Sequence, residues 1–182
     1  MKIPPQAKKV FTGEIFEVYQ WPQKMFDGSV ATFEMLKRPN TLQIIPTLGN
    51  KIILAKEEQP TKSMDFTLLG GRQEPNEDPI RGAKRELLEE SGLSSENWEN
   101  YGVFSPIHKM EWDIYYFVAR DCQKIAQQKL DGGEKIELIE VNFNDFIDIV
   151  LSENFWGSDL VLRVAKLKLD NKLNDFKNFI FK

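Results

Sequence analysis

The chain has 182 residues, 41% of them hydrophobic, and a formal net charge of −4 at pH 7. This length supports one full hydrophobic core with an added subdomain, but not two large domains. The negative charge argues against a nucleic-acid-binding surface, and the single cysteine, Cys122, excludes an intramolecular disulfide. Neither a membrane-spanning apolar run nor a secretory leader is recognised, so we expect a cytoplasmic protein without membrane attachment.

The first 39 residues predict a small antiparallel unit. Residues 1–12 contain paired prolines and paired lysines and predict a loose arm. Residues 13–21 and 29–37 alternate polar and apolar side chains, and the turn signal at residues 26–29 predicts that they form a β-hairpin. A two-stranded ribbon is marginal alone and must pack on something. The predicted boundary to the main domain, residues 40–182, is Pro39-Asn40.

The main domain opens with two predicted strands and a loop. Residues 41–47 and 51–57 predict strands joined by a Gly49-Asn50 turn. Residues 58–65 are polar, contain a proline and predict a loop.

A helix is predicted from Pro79 to Ser91. Asp78 is a good N-cap, Pro79 suits the first helical position, and Gly92 suits the left-handed turn after the helix. At about 100° per residue, three glutamates share one arc beside an apolar stripe: Glu86, Glu89 and Glu90. Because like charges at this spacing repel, a solvated surface face or a bound cation must accommodate them. Their hard oxygen atoms favour Mg²⁺ or Mn²⁺ over Zn²⁺.

The stretch from Gly71 to Leu93 resembles the Nudix box. That motif consists of glycine, five residues, glutamate, seven residues, then arginine, glutamate, an aliphatic residue, any residue, two glutamates, any residue, glycine and an aliphatic residue. Every defining position matches: Gly71, Glu77, Arg85, Glu86, Leu87, Glu89, Glu90, Gly92 and Leu93.

The resemblance implies roles for these residues. Divalent cations, Mg²⁺ or Mn²⁺, would be held by Glu86, Glu89, Glu90 and the Gly70 carbonyl. Arg85 and Glu77 would brace the loop and helix as an ion pair, and we count Arg85 and Glu89 among the catalytic residues. Gly71 and Gly92 would shape the motif structurally.

The layout is most similar to the Nudix branch that hydrolyses ADP-ribose and other nucleoside diphosphate sugars. In that branch an amino-terminal antiparallel sheet builds a dimer, so the resemblance implies that residues 1–39 make this chain a homodimer. One departure is that Glu57 and Glu58 occupy positions where the branch often carries arginine and glutamine.

Residues 98–105 and 111–119 predict two further strands, separated by a loop that holds the sole histidine, His108. One histidine cannot form a multi-histidine metal site. Arg72 and Trp112 are predicted to contact the substrate. Trp112 would stack on a nucleobase, and the alternative is that it faces the core.

The glycine-rich segment at residues 130–135 leads into a predicted strand at residues 136–142. In the ADP-ribose branch a glutamate on a loop near this point supplies the base or a further metal ligand, which implies that role for Glu134, with Glu137 in reserve. Residues 144–151 and 158–169 predict helices, and residues 171–182 predict a third helix or a tail.

Taken together, the sequence predicts an α/β protein with a Nudix α/β/α sandwich and a mixed sheet, plus the small amino-terminal β subdomain. The predicted activity is Mg²⁺-dependent hydrolysis of a nucleoside diphosphate sugar to a nucleoside monophosphate and a sugar phosphate. The alternatives are hydrolysis of nucleoside triphosphates or dinucleoside polyphosphates, and a non-catalytic Nudix-like module that senses nucleotides.

Overall fold

The computed structural model of the protein describes residues 2–182. The strands within this range are β1 Lys8–Thr12, β2 Glu17–Lys24, β3 Val30–Lys37, β4 Thr41–Leu48, β5 Lys51–Gln59, β6 Lys62–Thr67, β7 Leu93–Ser94, β8 Asn97–Phe104, β9 Met110–Glu111, β10 Ile114–Arg120, β11 Gln123–Lys124, β12 Lys135–Val141 and β13 Phe155–Trp156. The helices are α1 Pro79–Ser91, α2 Phe143–Val150, α3 Ser158–Leu169 and α4 Leu173–Phe181. None of these helices is both long and apolar enough to cross a membrane.

A seven-stranded sheet forms the centre of the molecule, with strand order β13-β6-β5-β4-β10-β8 and with β12 paired to β5. Strand β10 runs parallel to β4 and antiparallel to β8. Strand β5 runs antiparallel to β4, β6 and β12. The prediction of a mixed sheet is therefore confirmed.

Helices cover both faces of this sheet. Ala83 and Leu87 of α1 pack on one face against a cluster that includes Ile44, whereas α2, α3 and α4 pack on the other face against a cluster that includes Ile45. Successive side chains of a strand point to opposite faces, so a strand covered on both sides must be apolar at consecutive positions. The α/β/α sandwich is confirmed.

Helix α1 begins and ends where its local chemistry predicts. The Asp78 side chain accepts a hydrogen bond of 3.0 Å from the Ile80 amide, and Pro79 is the first helical residue. Gly92 adopts φ 64° and donates its amide to the Leu88 carbonyl oxygen. The predicted bounds, Pro79 to Ser91, are the observed ones because all three signals are local.

A separate four-stranded sheet contains the amino-terminal residues, in the order β1-β2-β3-β9. The prediction that residues 1–12 form a loose arm is wrong for β1, which pairs antiparallel with β2. The sheet also recruits β9 from far along the chain, parallel to β3. Residues 1–39 therefore do not complete this sheet by themselves.

Two further predictions need correction. Residues 58–65 are not a loop, because β5 continues to Gln59 and β6 pairs back onto it. The strand predicted at residues 111–119 is divided, since β9 belongs to the amino-terminal sheet and β10 to the central sheet. The chain crosses between the sheets at Trp112 and Asp113, where the Asp113 amide donates to the Asn40 side chain at 2.9 Å.

Residues 171–182, for which the sequence allowed either a helix or a tail, contain helix α4.

Candidate metal and diphosphate site

The site forms where β4 and β5 separate. These strands pair only at their hairpin end, Thr47 with Ile52 and Leu48 with Lys51. Farther along β4, residues 69–72 take the place of β5, and isolated bridges join this segment to β4. The segment that carries the glycine pair is therefore hydrogen-bonded into the sheet.

Gly70 and Gly71 fit this position because it is too narrow for a side chain. The Leu42 amide donates to the Gly71 carbonyl oxygen at 2.8 Å. Gly70 adopts φ 133°, and a Cβ atom there would overlap the Leu42 carbonyl oxygen. A Cβ atom at Gly71 would lie 2.7 Å from the Glu86 carboxylate. Both glycines thus allow the main chain to approach the helix glutamates.

Arg85 is the hub of the site's ion pairs. Its guanidinium donates to both Glu77 oxygens at 3.0 and 3.1 Å, to Glu86 at 2.8 Å and to Glu89 at 3.1 Å. It also donates to the Arg72 carbonyl oxygen at 3.2 Å. The hydrogen bond from Arg85 lowers the pKa of Glu77. The predicted pair of Arg85 and Glu77 is present, and the same guanidinium orients two of the three helix glutamates.

Glu86 and Glu90 are carboxylates held against the protein interior. Glu90 is only 7% exposed, and one of its oxygens accepts a hydrogen bond of 2.7 Å from the Gly70 amide. Burial raises the pKa of Glu90 well above its usual value and also raises that of Glu86. The negative charge of Glu86 raises the pKa of Glu90 further, and the negative charge of Glu89 raises that of Glu86. A bound cation would relieve both effects.

Glu134 lies within electrostatic range of the same carboxylates. Burial raises its pKa first, and the charges of Glu57, Asp131 and Glu89 add to that effect. The charge of Glu134 in turn acts on Glu86 and Glu90. The structure thus brings the predicted loop glutamate into electrostatic contact with helix α1.

Glu57 belongs to this acidic group, although the sequence did not identify it as a site residue. Its charge raises the pKa of both Glu90 and Glu134. Glu57 pairs with Ile136 in the ladder between β5 and β12, and this register brings it near Glu134. Only knowledge of that pairing reveals Glu57 as a neighbour of the site.

The donor set suits a hard divalent cation. The converging groups are carboxylates and a main-chain turn, and the one histidine, His108, is exposed in a loop elsewhere. Within residues 2–182 no three His, Cys, Asp or Glu side chains stand at ligating geometry. The carboxylates are hydrogen-bonded within the protein instead, because Arg85 donates to Glu86 and Glu89 and the Gly70 amide donates to Glu90. Mutually repelling, partly buried oxygen ligands fit Mg²⁺ or Mn²⁺.

A cationic and aromatic corner adjoins the glycine segment. The Trp112 indole donates to the Thr41 hydroxyl at 3.0 Å, and Thr41 bridges to Arg72. The Arg38 guanidinium lies 4.7 Å from the Trp112 ring centroid and 5.7 Å from that of Phe16. Trp112 also packs partly against the core, which is the alternative considered from sequence, and its stacking on a nucleobase stays a prediction.

Arg38 is a second residue that the sequence did not identify. Burial and the positive charge of Arg72 lower its pKa. Its Nε atom is buried without a hydrogen-bond partner. In the described part of the chain neither Arg38 nor Arg72 forms a salt bridge. Two neighbouring guanidinium groups without a carboxylate are suited to bind an anion.

Comparison with known proteins identifies the class that this fold and site define. A family model of the NUDIX domain matches residues 37–160. The chain therefore belongs to the Nudix family, and the prediction that it is a Nudix pyrophosphohydrolase is confirmed.

Similar proteins match nearly the whole chain. It is 25% identical to the ADP-ribose pyrophosphatase of Bacillus subtilis (strain 168) over 171 residues, which are 91% of this chain and 92% of that protein. It is 24% identical to the methanol dehydrogenase activator of Bacillus methanolicus over 172 residues, 92% of this chain and 93% of that protein. A crystal structure of an ADP compounds hydrolase matches with a TM-score of 0.70 and 19% identity, covering 92% of this chain and 95% of the other, and shows the shared fold.

Proposed function

We propose that the protein is a Mg²⁺-dependent enzyme that cleaves a nucleoside diphosphate sugar such as ADP-ribose into a nucleoside monophosphate and a sugar phosphate. Nudix membership supports a diphosphate substrate. The similarity to a relative named ADP-ribose pyrophosphatase supports this substrate class. The observation that carries the proposal is the convergence of Glu86, Glu90 and Glu134, all with raised pKa values, beside the Gly70 turn.

The proposed ligands of the cation are Glu86, Glu89, Glu90 and the Gly70 carbonyl oxygen, with Mn²⁺ as the alternative to Mg²⁺. When bound, such a cation neutralises charge on the diphosphate and lowers the pKa of a water molecule. Arg85 orients Glu86 and Glu89 through its ion pairs, and the Gly70 amide orients Glu90. These contacts keep the carboxylates on one side of α1, and binding of the cation would turn them from their present hydrogen-bond partners toward the ion.

Glu134 is proposed as the general base. Its raised pKa makes its ionised form a better proton acceptor than an ordinary glutamate. The attacking water forms a bond from its oxygen to phosphorus and gives its proton to Glu134, while the bond from phosphorus to the bridging oxygen breaks. The leaving phosphate takes the electron pair of that bond. Each product carries one phosphate, and no covalent enzyme intermediate forms.

Arg72, Arg38 and Trp112 are proposed to hold the substrate. The two guanidinium groups supply positive charge for the phosphates, and their planar surfaces together with the Trp112 ring offer stacking area for a nucleobase. The corner is linked to the carboxylates by the Arg72 carbonyl, which accepts from Arg85.

A substrate panel tests the proposal. Wild-type protein with Mg²⁺ is incubated with ADP-ribose, other nucleotide sugars, nucleoside triphosphates and dinucleoside polyphosphates, and the products are separated by chromatography. We expect AMP and ribose 5-phosphate from ADP-ribose. Glu89→Gln and Glu90→Gln should each lose at least about 100-fold in turnover, because outer-shell contacts alone are worth 10–100-fold. The matched control is Glu96→Gln, an exposed glutamate beyond α1, which should retain wild-type turnover.

The panel also separates the alternatives. If nucleoside triphosphates or dinucleoside polyphosphates are cleaved faster than nucleotide sugars, they are the substrate class instead. A rise in melting temperature with ADP-ribose, without turnover of any compound, would identify a sensing module instead. Wild-type rates in both glutamine variants would contradict the metal assignment.

A further inference from the structure

The carboxyl-terminal end of α1 is closed by one short segment, residues 124–129, which we term the cap segment. The last carbonyl groups of a helix have no partner within the helix. Here the Glu89 carbonyl accepts from the Lys129 amide at 2.8 Å, and the Ser91 carbonyl accepts from the Lys124 ammonium. The Gly92 carbonyl accepts from the amides of Ile125 and Ala126. The cap segment, instead of water, therefore donates hydrogen bonds to the last carbonyl groups of the helix that carries the site glutamates.

Gln128 extends this cap to a second element. Its side-chain amide donates to the Glu90 carbonyl at 2.7 Å and to the Ile136 carbonyl at 3.0 Å. Both amide hydrogens are used, one on each element. Residues 123–133 are exposed except Gln128 and Leu130, which are half-buried. Gln128 thus lies between the helix end and the start of β12.

The two carbonyl groups have particular neighbours. Glu90 bears the most buried carboxylate of the site, and Ile136 lies two residues after Glu134. Between the cap segment and β12 the chain runs through Gly132 and Gly133, where glycine permits a wide range of backbone conformations. An added Cβ atom at Gly132 would meet nothing within 4 Å. Within the loop the Glu134 amide donates to the Asp131 carbonyl oxygen at 3.0 Å. The β12 ladder connects the end of this turn to β5, and Gln128 connects it to α1.

We propose that Gln128 is a positioning residue that fixes the distance between helix α1 and the loop that carries Glu134. One side chain holds the main chain at Glu90 and the main chain just beyond Glu134, so it aligns the base with the metal-binding carboxylates. The role in turnover rests on the proposed function, whereas the fixed placement of the loop does not.

The experiment compares Gln128→Met with the wild-type protein. Methionine has a similar length and fills the half-buried site without donating a hydrogen bond. We expect kcat to fall about 10- to 100-fold, as misplacement of a catalytic group by about 1 Å does, while KM changes less than about twofold. Lys124→Met is the matched control. It removes another bond to the end of α1 but none to β12, and it should retain wild-type kcat.

A double-mutant cycle shows whether Gln128 acts through Glu134. In the Glu134→Gln background, Gln128→Met should lower kcat no further. Independent, multiplying losses would overturn the proposal, as would wild-type kcat in Gln128→Met.

Hydrogen exchange measured without metal or substrate provides a readout independent of turnover. In Gln128→Met the amides of residues 130–136 should exchange faster than in wild type, whereas Lys124→Met should leave them unchanged. Unchanged exchange in Gln128→Met would overturn the positioning role. If the wild type cleaves no compound in the panel, the proposed function fails, and the exchange result still decides the placement of the loop.

Discussion

Replacing Arg85 by methionine tests the ion-pair hub most directly. Methionine and arginine have similar helix propensities, so the change removes the charge and its hydrogen bonds at little cost to the helix itself. Exposed ion pairs contribute at most about 1 kcal/mol, whereas loss of one partner of a buried pair costs about 3–5 kcal/mol. The Arg85 side chain is 27% exposed and its partner Glu77 15% exposed. This intermediate burial places the expected loss in free energy of unfolding at about 2 kcal/mol.

Urea unfolding in the presence of EDTA measures this loss without a contribution from bound cations. A change of about 2 kcal/mol corresponds to a decrease of about 4–8 °C in melting temperature for a chain of this size. Turnover should fall about 10- to 100-fold, since Glu86 and Glu89 lose the group that orients them. Arg81→Met is the matched control, because Arg81 lies on the exposed face of the same helix. Equal free energies of unfolding for the two variants would refute the role of Arg85 as the centre of the site's ion pairs.

The difference between wild type and Arg85→Met should depend on pH. Arg85 lowers the pKa of Glu77 below the ordinary value of 4.5. A depressed folded-state pKa stabilises the protein above the unfolded-state pKa, and this contribution is lost as pH falls through the folded-state value. The stability gap should therefore be full at neutral pH and narrow below about pH 4. Unfolding curves across that range measure it, and a gap that widens on acidification would contradict the assignment.

Three other predictions concern regions outside the site. Arg120 is 3% exposed and donates to the Phe179 and Ile180 carbonyls of α4. Arg120→Met should therefore lower the free energy of unfolding in urea by about 3 kcal/mol, whereas the control Lys182→Met should change it by less than about 0.5 kcal/mol. Equal effects would argue that Arg120 does not hold α4 against the rest of the protein. Burial raises the pKa of Cys122 to about 12, so the native thiol should not react with a disulfide reagent at pH 8 until the chain is denatured; rapid native reaction would contradict this. Phe11 is 58% exposed on edge strand β1. If the homodimer predicted for residues 1–39 uses this face, sedimentation should show a dimer that Phe11→Glu converts to a monomer, and a monomeric wild type would exclude that dimer.

The sequence predicted those parts of the site that depend on local chemistry. The bounds of α1 follow from Asp78, Pro79 and Gly92, whose effects reach only a few residues. The ion pair between Arg85 and Glu77, which the resemblance to the Nudix box implied, joins two positions of one contiguous motif. Such features need no knowledge of which strands are neighbours.

The features that the sequence did not reveal depend on tertiary pairing. Strand β6 buries only Met64 and Thr67, so its apolar pattern is weak, and hydrogen bonding to β5 determines its conformation. Glu57 approaches Glu134 through the register of β5 and β12. The contact of Arg38 with Trp112 requires the chain to cross between the two sheets, and no periodicity in the sequence encodes that crossing.

The insertion of residues 69–72 between β4 and β5 has a consequence for how this enzyme class can diversify. Residues 69–72, beside the proposed cation site, share their main-chain hydrogen bonds with β4, so moving them would disturb the sheet. The main chain beside the proposed cation site is thereby tied to the central sheet. The crossing at Trp112 and the glycine loop before β12 lie outside this pairing, so substitutions there would leave the main chain of residues 69–72 in place.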